Sequence, residues 1–216
     1  MLNTGSRVRT AVDCEPGNIK ESCLTHMDER EELRHIIARE SVLVSEEGFV
    51  LASGKRSKYY YDVKRTTLSL PHALASAARL MLAEINALQE PVQAVGGLTS
   101  GADPLVVAIS LAARLEGRNL PGFFVRDKAK GHGTERIIEG VLEPGMNVVI
   151  VDDVITQGNS VYKAIQGAED QGARVVHVFV LVDREEGGTP FLRDKGYKIK
   201  SLFTHSELVP LAGKQT

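Results

Sequence analysis

Two adjacent carboxylates, Asp152 and Asp153, directly follow an apolar run in the stretch VVIVDDVITQGNS, residues 148–160. If the run is a buried strand, both acids lie at its carboxyl end, where a parallel sheet opens to solvent and ligands bind. Carboxylates accept hydrogen bonds from vicinal hydroxyls and help to hold Mg²⁺ through water. The pair therefore predicts a site for a ligand that carries hydroxyl groups or positive charge.

The residues after the acids have the composition of an anion-binding loop. They are small residues with hydroxyl or amide groups, and they lead into a predicted helix: Thr156, Gln157, Gly158, Asn159 and Ser160. Backbone N–H groups of such a loop can converge at the amino terminus of the helix, whose dipole favours an anion. A phosphate monoester bound there would present its attached hydroxyls to the acids, so the stretch predicts a site for a ribose 5-phosphate.

Three other interpretations of the acidic stretch compete with this one. It could be plain α/β core in which a strand happens to end in acids, or the acidic pocket of a phosphoacceptor receiver domain. A mononucleotide site of the glycine-loop type is the third, and it is excluded. The segment GGLTSGAD lacks the Lys and hydroxyl that such a loop needs after its second Gly, and the chain contains no G-x-G-x-x-G.

A predicted alternation of helices and strands positions these residues. Leu33, Ile36 and Ile37 fall on one face of a helix that begins near Met27, and Ser53-Gly54 interrupts β-type residues as in a hairpin. The other predicted elements are a helix over residues 71–88, a strand in VQAVGG, a helix over 101–117, strands on both sides of 126–136, the strand before the acids, a helix over 159–171 and a strand in RVVHVFVLVD. This alternation indicates an α/β fold with a parallel sheet.

The bulk composition limits the classes of function. The 216 residues are 43% hydrophobic and 25% charged, which is typical of one globular domain, and residues 1–26 lack apolar periodicity and are predicted to be a disordered leader. A net charge of -2 argues against nucleic acid or a membrane surface as partner. No run approaches the roughly 18 apolar residues of a membrane span, so we expect a cytoplasmic protein. Cys14 and Cys23 have no metal-ligand spacing.

Taken together, the motifs resemble a known family. VVIVDDVITQGNS resembles the phosphoribosyl pyrophosphate signature of the type I phosphoribosyltransferases, and FVLASGKRSKYYYD, GGLTSGADP, VRDKAKGHGT with IEG, and LVDREEGG resemble the orotate phosphoribosyltransferases in that order. The resemblance runs from about Met27 to the carboxyl end. It implies a type I phosphoribosyltransferase fold, with a central, mostly parallel sheet flanked by helices (a core of about residues 69–216) and a small amino-terminal hood of about residues 27–68.

The resemblance also implies an activity. Members of the family transfer the 5-phosphoribosyl group from phosphoribosyl pyrophosphate to N1 of orotate with Mg²⁺, releasing pyrophosphate and forming orotidine 5′-phosphate in pyrimidine and UMP biosynthesis. The displacement inverts C1 through an oxocarbenium-like transition state. The expected partners are therefore the two substrates and a second copy of the chain, because family members donate the loop over residues 126–136 across a homodimer interface.

Site residues follow from the motifs position by position. The implied catalytic residues are Lys130, His132, Asp152 and Asp153, and the two aspartates would also hold Mg²⁺ through water or through the bound sugar pyrophosphate. The implied substrate-binding residues are Tyr60, Tyr61, Leu98, Thr99, Ser100, Arg126, Lys128, Val154, Ile155, Thr156, Gln157, Gly158, Asn159, Ser160 and Arg184. Among them, Arg184 would bind the orotate carboxylate, Thr156 would make a second orotate contact, and a strained peptide is expected between Leu98 and Thr99.

The chain departs from its relatives at three positions. Many relatives have Lys where this chain has Asp127, some have Lys in place of Ser100, and some have Lys in place of Ala52. The first departure puts one pyrophosphate contact in doubt, although Lys128 stands one place later. Charge on the hood could come instead from one of three residues, between which the sequence does not choose: Lys55, Arg56 and Lys64.

Two further functions compete with orotate transfer. One is a regulatory protein that keeps the sugar-phosphate site as a sensor and has lost catalysis; the intact basic loop and the absence of a DNA-binding basic helix disfavour it. The other is a transferase for a purine or for uracil. Arg184 together with the hood disfavours this alternative, because a bidentate cation is what a buried carboxylate site needs.

Overall fold

The computed structural model describes residues 26–50, 56–127 and 137–213. Several sequence predictions lie outside the described residues. They are the leader before residue 26, the Ser53-Gly54 turn, Lys55, and the part of the basic loop that contains Lys128, Lys130 and His132.

Helices and strands alternate along the described chain. The helices are α1 (His26–Glu40), α2 (Val63–Ser69), α3 (Pro71–Asn86), α4 (Asp103–Leu115), α5 (Asn159–Glu169), α6 (Gly188–Asp194) and α7 (His205–Leu208), followed by a 3₁₀ turn at Val209–Leu211. The strands are β1 (Val42–Val50), β2 (Arg56–Tyr61), β3 (Ala94–Leu98), β4 (Gly122–Val125), β5 (Ile138–Gly140), β6 (Asn147–Ile155), β7 (Arg174–Asp183) and β8 (Ile199–Thr204).

The amino-terminal part consists of α1 and a two-stranded antiparallel sheet, in which Val42 pairs with Tyr61 and Val50 with Arg56. The buried face of α1 carries Leu33, Ile36 and Ile37, as their spacing predicts. Side chains of successive strand residues point to opposite faces. Accordingly, Tyr60 is 43% exposed while Tyr61 is buried.

The large sheet has six strands in the order β5-β4-β3-β6-β7-β8. All neighbouring pairs are parallel except β4 with β5, which confirms the predicted mostly parallel α/β sheet. Strand β6 is buried on both faces. Val149 and Val151 belong to one apolar core with α1, α3 and α4, whereas Val148 and Ile150 belong to a second core with α5 and α6.

The direction of the crossovers reverses between β3 and β6, because the chain continues from β3 to β4 on one side and from β6 through β7 to β8 on the other. Register aligns the carboxyl ends of the strands: Leu98 pairs with Val125, and Asp183 pairs with both Ile155 and Thr204. Ligands of open α/β sheets bind in the crevice at such a reversal, outside the carboxyl ends. The predicted acidic pair and the GGLTSG turn flank this position.

The structure adds elements that the sequence patterns did not predict, namely α2 and the succession α6, β8 and α7. Helix α5 ends at Glu169, two residues before the predicted end. Strand β6 continues through the two aspartates to Ile155. The two carboxylates therefore belong to residues of the strand itself rather than to the loop after it. Across the described ranges, none of the helices has the length and apolar character needed to span a bilayer.

Candidate active site

A cleft of about 550 Å³ opens at the carboxyl ends of β6 and β7. This volume is in the range of pockets that hold small molecules. Its lining comes from the hood, from the β6–α5 connection and from the segment after β7. The lining residues are Val50, Tyr60, Val154, Ile155, Thr156, Gln157, Gly158, Asn159, Ser160, Val161, Arg184 and Glu186.

The β6–α5 loop has the backbone geometry of an anion site. Gly158, the residue before the first turn of α5, has φ +83°, and no side chain caps the helix. The first N–H groups of a helix have no partner within it and attract an anion. A Cβ atom on Gly158 would lie 3.0 Å from the Phe191 ring, so glycine is needed there both for its φ and for the close packing.

Two backbone hydrogen bonds hold this loop against the segment after β7. The N–H of Arg184 donates to the carbonyl of Ile155 at 3.0 Å, and the N–H of Gly188 donates to the carbonyl of Thr156 at 2.9 Å. The loop carbonyls therefore face the neighbouring segment. The amino terminus of α5 and Arg184 therefore line the same cleft.

The acidic pair adjoins the cleft without lining it. Asp152 is 5% exposed, and its Oδ1 accepts a hydrogen bond from the N–H of Asp153 at 3.0 Å. Both carboxylates face the turn after β3, because a Cβ atom on Gly101 would lie 2.6 Å from Asp153 Oδ1 and 2.9 Å from Asp152 Oδ1. Only Val154 and Ile155 lie between the acids and the loop that leads into α5. The two predicted parts of the sugar-phosphate site, the acidic pair and the anion-binding loop, are therefore neighbours.

Burial dominates the electrostatics of the pair. Desolvation raises the pKa of Asp152 well above its ordinary value, and the charge of Asp153 raises it further. Desolvation also raises the pKa of Asp153, while Lys64 lowers it. Two carboxylates in this environment favour any ligand that brings a cation or hydroxyl donors to them.

Lys64 supplies positive charge that the sequence could not assign. Its Nζ donates to Ser100 Oγ at 3.0 Å, which places an ammonium beside the β3–α4 turn. Arg56, another candidate, is exposed and donates to the carbonyl of Glu47 at 3.1 Å. The sequence signal that could have identified Lys64 is its position as the second residue of α2, the helix that follows strand β2 of the hood.

The β3–α4 turn contains a cis peptide bond, one residue after the position at which a strained peptide is expected. The cis peptide bond joins Thr99 and Ser100, so the prediction of a bond between Leu98 and Thr99 is wrong. Leu98 still pairs with Val125 in the sheet, and the N–H of Thr99 donates to the carbonyl of Val125 at 2.9 Å. Since the ladder extends through the Thr99 N–H, the preceding peptide keeps the trans geometry of a strand.

Arg184 and Tyr60 line the other side of the cleft, and Tyr61 lies behind them. The Arg184 side chain is 10% exposed, and its Nη2 lies 2.5 Å from Glu186 Oε1. Its guanidinium carbon lies 5.1 Å from the centroid of the Tyr61 ring, a cation–π distance. The Tyr61 hydroxyl is 2.6 Å from His205 Nδ1, and desolvation raises its pKa. Tyr60 lines the cleft, whereas Tyr61 lies buried behind it and supports Arg184.

Arg126 lies at the same edge of the sheet but outside the cleft lining. It directly follows β4, its N–H donates to the carbonyl of Ile137 at 2.8 Å, and its Nε lies 2.8 Å from Glu139 Oε1. The departure at Asp127 has a structural partner, because Lys163 Nζ donates to Asp127 Oδ1 at 2.6 Å. The rest of the basic loop lies outside the described residues.

The sequence reasoning missed Glu186 and His205 as neighbours of the site. Glu186 stands in the quoted motif LVDREEGG, but nothing in the pattern shows which of its two glutamates faces the cleft. His205 is distant in sequence from Tyr61, and only the packing of α7 against the hood brings the two together.

Comparisons with known proteins agree with this geometry. Residues 68–203 match the family described as phosphoribosyl transferase domain. The chain is 40% identical to the orotate phosphoribosyltransferase of Aquifex aeolicus (strain VF5) over 186 residues, which cover 85% of this chain and 99% of that protein.

Solved structures give the same result. The orotate phosphoribosyltransferase of Mycobacterium tuberculosis H37Rv, in complex with Fe(III) dicitrate, has a TM-score of 0.72 and 37% identity, covering 83% of this chain and 98% of that one. The same protein in complex with 5-phospho-alpha-D-ribosyl 1-diphosphate has a TM-score of 0.69 and 33% identity, with the same coverage. The resemblance of the motifs is thereby confirmed, and the chain belongs to the orotate phosphoribosyltransferase family.

Proposed function

We propose that the protein transfers the 5-phosphoribosyl group from phosphoribosyl pyrophosphate to N1 of orotate, forming orotidine 5′-phosphate and pyrophosphate. The observation that supports the proposal is a cleft that is lined both by the α5 entrance and by Arg184. One element fits a sugar phosphate and the other fits a carboxylate on a base. A related protein crystallised with phosphoribosyl pyrophosphate supports the choice of donor.

Phosphoribosyl pyrophosphate would bind at the carboxyl ends of β3 and β6, between which the direction of the crossovers reverses. Its 5-phosphate would take the N–H groups of residues 156–160 and the hydroxyl of Ser160, at the amino terminus of α5. Its ribose hydroxyls would donate to Asp152 and Asp153, whose charged forms are disfavoured by desolvation and stabilised in part by Lys64 and by backbone N–H groups. Ordering of the sugar by both ends fixes C1 between the pyrophosphate and the incoming base.

Pyrophosphate would leave toward the turn after β3. The turn offers Leu98, Thr99 and Ser100, and Lys64 adds an ammonium 3.0 Å from Ser100 Oγ. From the basic loop, Arg126, Lys128, Lys130 and His132 would add positive charge as the C1–O bond breaks and the N1–C1 bond forms. Fixed cations near a departing anion lower the barrier through electrostatic stabilisation, which costs no reorganisation at the moment of reaction.

Orotate would bind under the hood, the part formed by about residues 27–68 over a core of about 69–216. Its carboxylate would take the Arg184 guanidinium, which is planar and suited to bidentate pairing. The Thr156 hydroxyl would make a second contact and the Tyr60 ring would cover the base. Tyr61 would act behind them by holding the guanidinium in place.

The site fits Mg²⁺ only together with the substrate. Within the described ranges no group of three or more His, Cys, Asp or Glu side chains has the geometry to hold a metal. Mg²⁺ is commonly bound by one or two carboxylates with substrate phosphates and water, and Asp152 with Asp153 can supply those carboxylates. When bound, the ion would neutralise charge on the pyrophosphate.

The proposal includes a homodimer in which the loop over residues 126–136 of one subunit covers the cleft of the other. An exposed apolar stripe on α4 supports a second copy: Val107, Leu111 and Leu115, four residues apart, are 59%, 60% and 81% exposed. Large contiguous apolar surface on a monomer commonly marks an interface. Sedimentation equilibrium tests this part, and a monomer mass at micromolar concentration contradicts it.

A base-specificity assay tests the function. Purified protein with Mg²⁺, phosphoribosyl pyrophosphate and orotate is expected to release pyrophosphate, whereas adenine, hypoxanthine and uracil give little. Turnover with a different base instead of orotate would contradict the proposed acceptor. Binding of ribose 5-phosphate without turnover of any base would favour the sensor.

A further inference from the structure

The Arg184 guanidinium is bound by a carboxylate of its own chain. Glu186 Oε1 lies 2.5 Å from Arg184 Nη2, and both residues line the cleft. The pair is therefore inside the space that the base would occupy under the proposed function. Its position differs from that of a surface ion pair, because the arginine side chain is 10% exposed.

The ion pair with Glu186 uses only one of the two nitrogens on one edge of the Arg184 guanidinium. Nε and Nη2 lie on the same edge of the planar guanidinium, the edge that a carboxylate grips with both oxygens. Glu186 contacts Nη2, while Nε is buried and meets no hydrogen-bond partner among the described residues. A buried donor without a partner is unfavourable, so a carboxylate that engages both nitrogens would bind this edge better than Glu186 does.

The adjacent Glu185 shows that the direction of Glu186 is set by the backbone. Glu185 has φ +58°, and its N–H donates to Asp183 Oδ1 at 2.7 Å. Its Oε2 accepts hydrogen bonds from Ser206 N at 2.8 Å and Ser206 Oγ at 2.6 Å, on α7. The turn thus directs one glutamate to α7 and the next into the cleft. The Glu186 side chain is 38% exposed, so solvent can receive it when it leaves.

We infer that Glu186 is a specificity-determining residue that competes with the substrate carboxylate for Arg184. Binding of orotate then exchanges one carboxylate for another on the same guanidinium. The resident glutamate offsets the buried positive charge when no carboxylate is bound, since an unpaired buried cation is costly. A pyrimidine without a carboxylate cannot make this exchange. The inference rests on the proposed orotate site.

The test compares Glu186→Gln with Glu185→Gln in the full-length protein. Glutamine keeps the shape but loses the charge, so its bond to Arg184 is weaker and orotate displaces it more easily. We expect Glu186→Gln to lower the KM for orotate about tenfold, the equivalent of one charge-assisted bond, with kcat within about twofold. Glu185→Gln should leave the orotate KM unchanged. Inhibition by uracil should be the same in both variants.

A double-mutant cycle with Arg184→Gln separates competition from a structural role. Without the guanidinium, Glu186→Gln should no longer change the orotate KM, because the two effects share one interaction. An orotate KM that is unchanged or higher in the single Glu186→Gln variant, or an effect that persists without Arg184, overturns the inference. Should Glu186→Gln not fold, Glu186→Asp replaces it, and an unchanged orotate KM again overturns the inference. Failure of the wild-type protein to turn over orotate would instead overturn the proposed function.

Discussion

Under the proposed function, the two sides of the cleft would recognise their targets by different means. The proposed sugar-phosphate side comes from one continuous stretch, residues 152–160, and it offers mainly backbone N–H groups and two carboxylates. The base side combines Tyr60 and Tyr61 from β2, Arg184 after β7 and His205 from α7. A change on the first side should thus alter donor binding through local geometry, whereas a change on the second should alter base selection through packing.

Their electrostatics also differ. Of the acids on the sugar-phosphate side, Asp152 is buried and Asp153 half-buried; both have raised pKa values and gain from a ligand that brings positive charge or hydroxyl donors. The guanidinium on the base side is buried but already has a carboxylate partner in Glu186. Ligand binding should therefore stabilise a costly charge on one side and replace an existing ion pair on the other.

Arg184→Lys is expected to give the largest difference between the effect on orotate binding and the effect on phosphoribosyl pyrophosphate binding. Lysine keeps a positive charge but loses the planar two-nitrogen edge and the contact over Tyr61. We expect the orotate KM to rise about 100-fold, as for the loss of a buried charge-assisted pair, with the KM for phosphoribosyl pyrophosphate within about twofold. Steady-state kinetics measures both, and Arg193→Lys, on the exposed surface of α6, is the matched control. A parallel rise of both constants would remove the distinction between the sides.

Gly158→Ala tests the opposite side. The added Cβ meets the Phe191 ring at 3.0 Å, and a φ of +83° costs an L-residue about 1–2 kcal/mol. We expect phosphoribosyl pyrophosphate to bind about tenfold more weakly, with orotate selection over uracil unchanged. Calorimetric titration and a competition assay check this. Gly213→Ala, where nothing lies within 4 Å, should have neither effect. Altered base selection would show that the sides are coupled.

The smallest effect concerns stability against pH. Burial raises the folded pKa of Asp152 above its ordinary value of 3.8, so the folded protein binds more protons than the unfolded chain between the two values. Stability from this group is present below 3.8 and is lost as the pH rises through the folded pKa, with a slope of up to about 1.4 kcal/mol per pH unit. Asp152→Asn should flatten the decline in denaturant unfolding without added ligand.

The matched control for this measurement is Asp170→Asn, at the exposed end of α5, which should leave the pH dependence of the wild-type protein intact. An Asp152→Asn curve that runs parallel to the wild type across the acidic range would contradict the assigned burial cost.

Much of the sugar-phosphate side could be predicted because it is local. An apolar run buried on both faces, a pair of acids and a Gly at positive φ before a helix are all consecutive, so strand, loop and helix follow from residues close in sequence. The wrong position of the unusual peptide has a nonlocal cause. The Thr99 N–H donates to Val125 on the neighbouring strand, and the sequence does not indicate how far that pairing extends.

The sequence by itself determined the alternation of helices and strands from α1 through β7, apart from α2, and also the acids near the end of a central strand, the helix entrance after them and the family. Only the tertiary structure decided that Lys64 reaches Ser100, that Tyr61 joins Arg184 to His205, and that Glu186 rather than Glu185 faces the cleft. Local motifs are set by backbone preferences and hydrophobic periodicity over a few residues. Contacts between distant segments depend on how whole elements pack, and no short pattern records that.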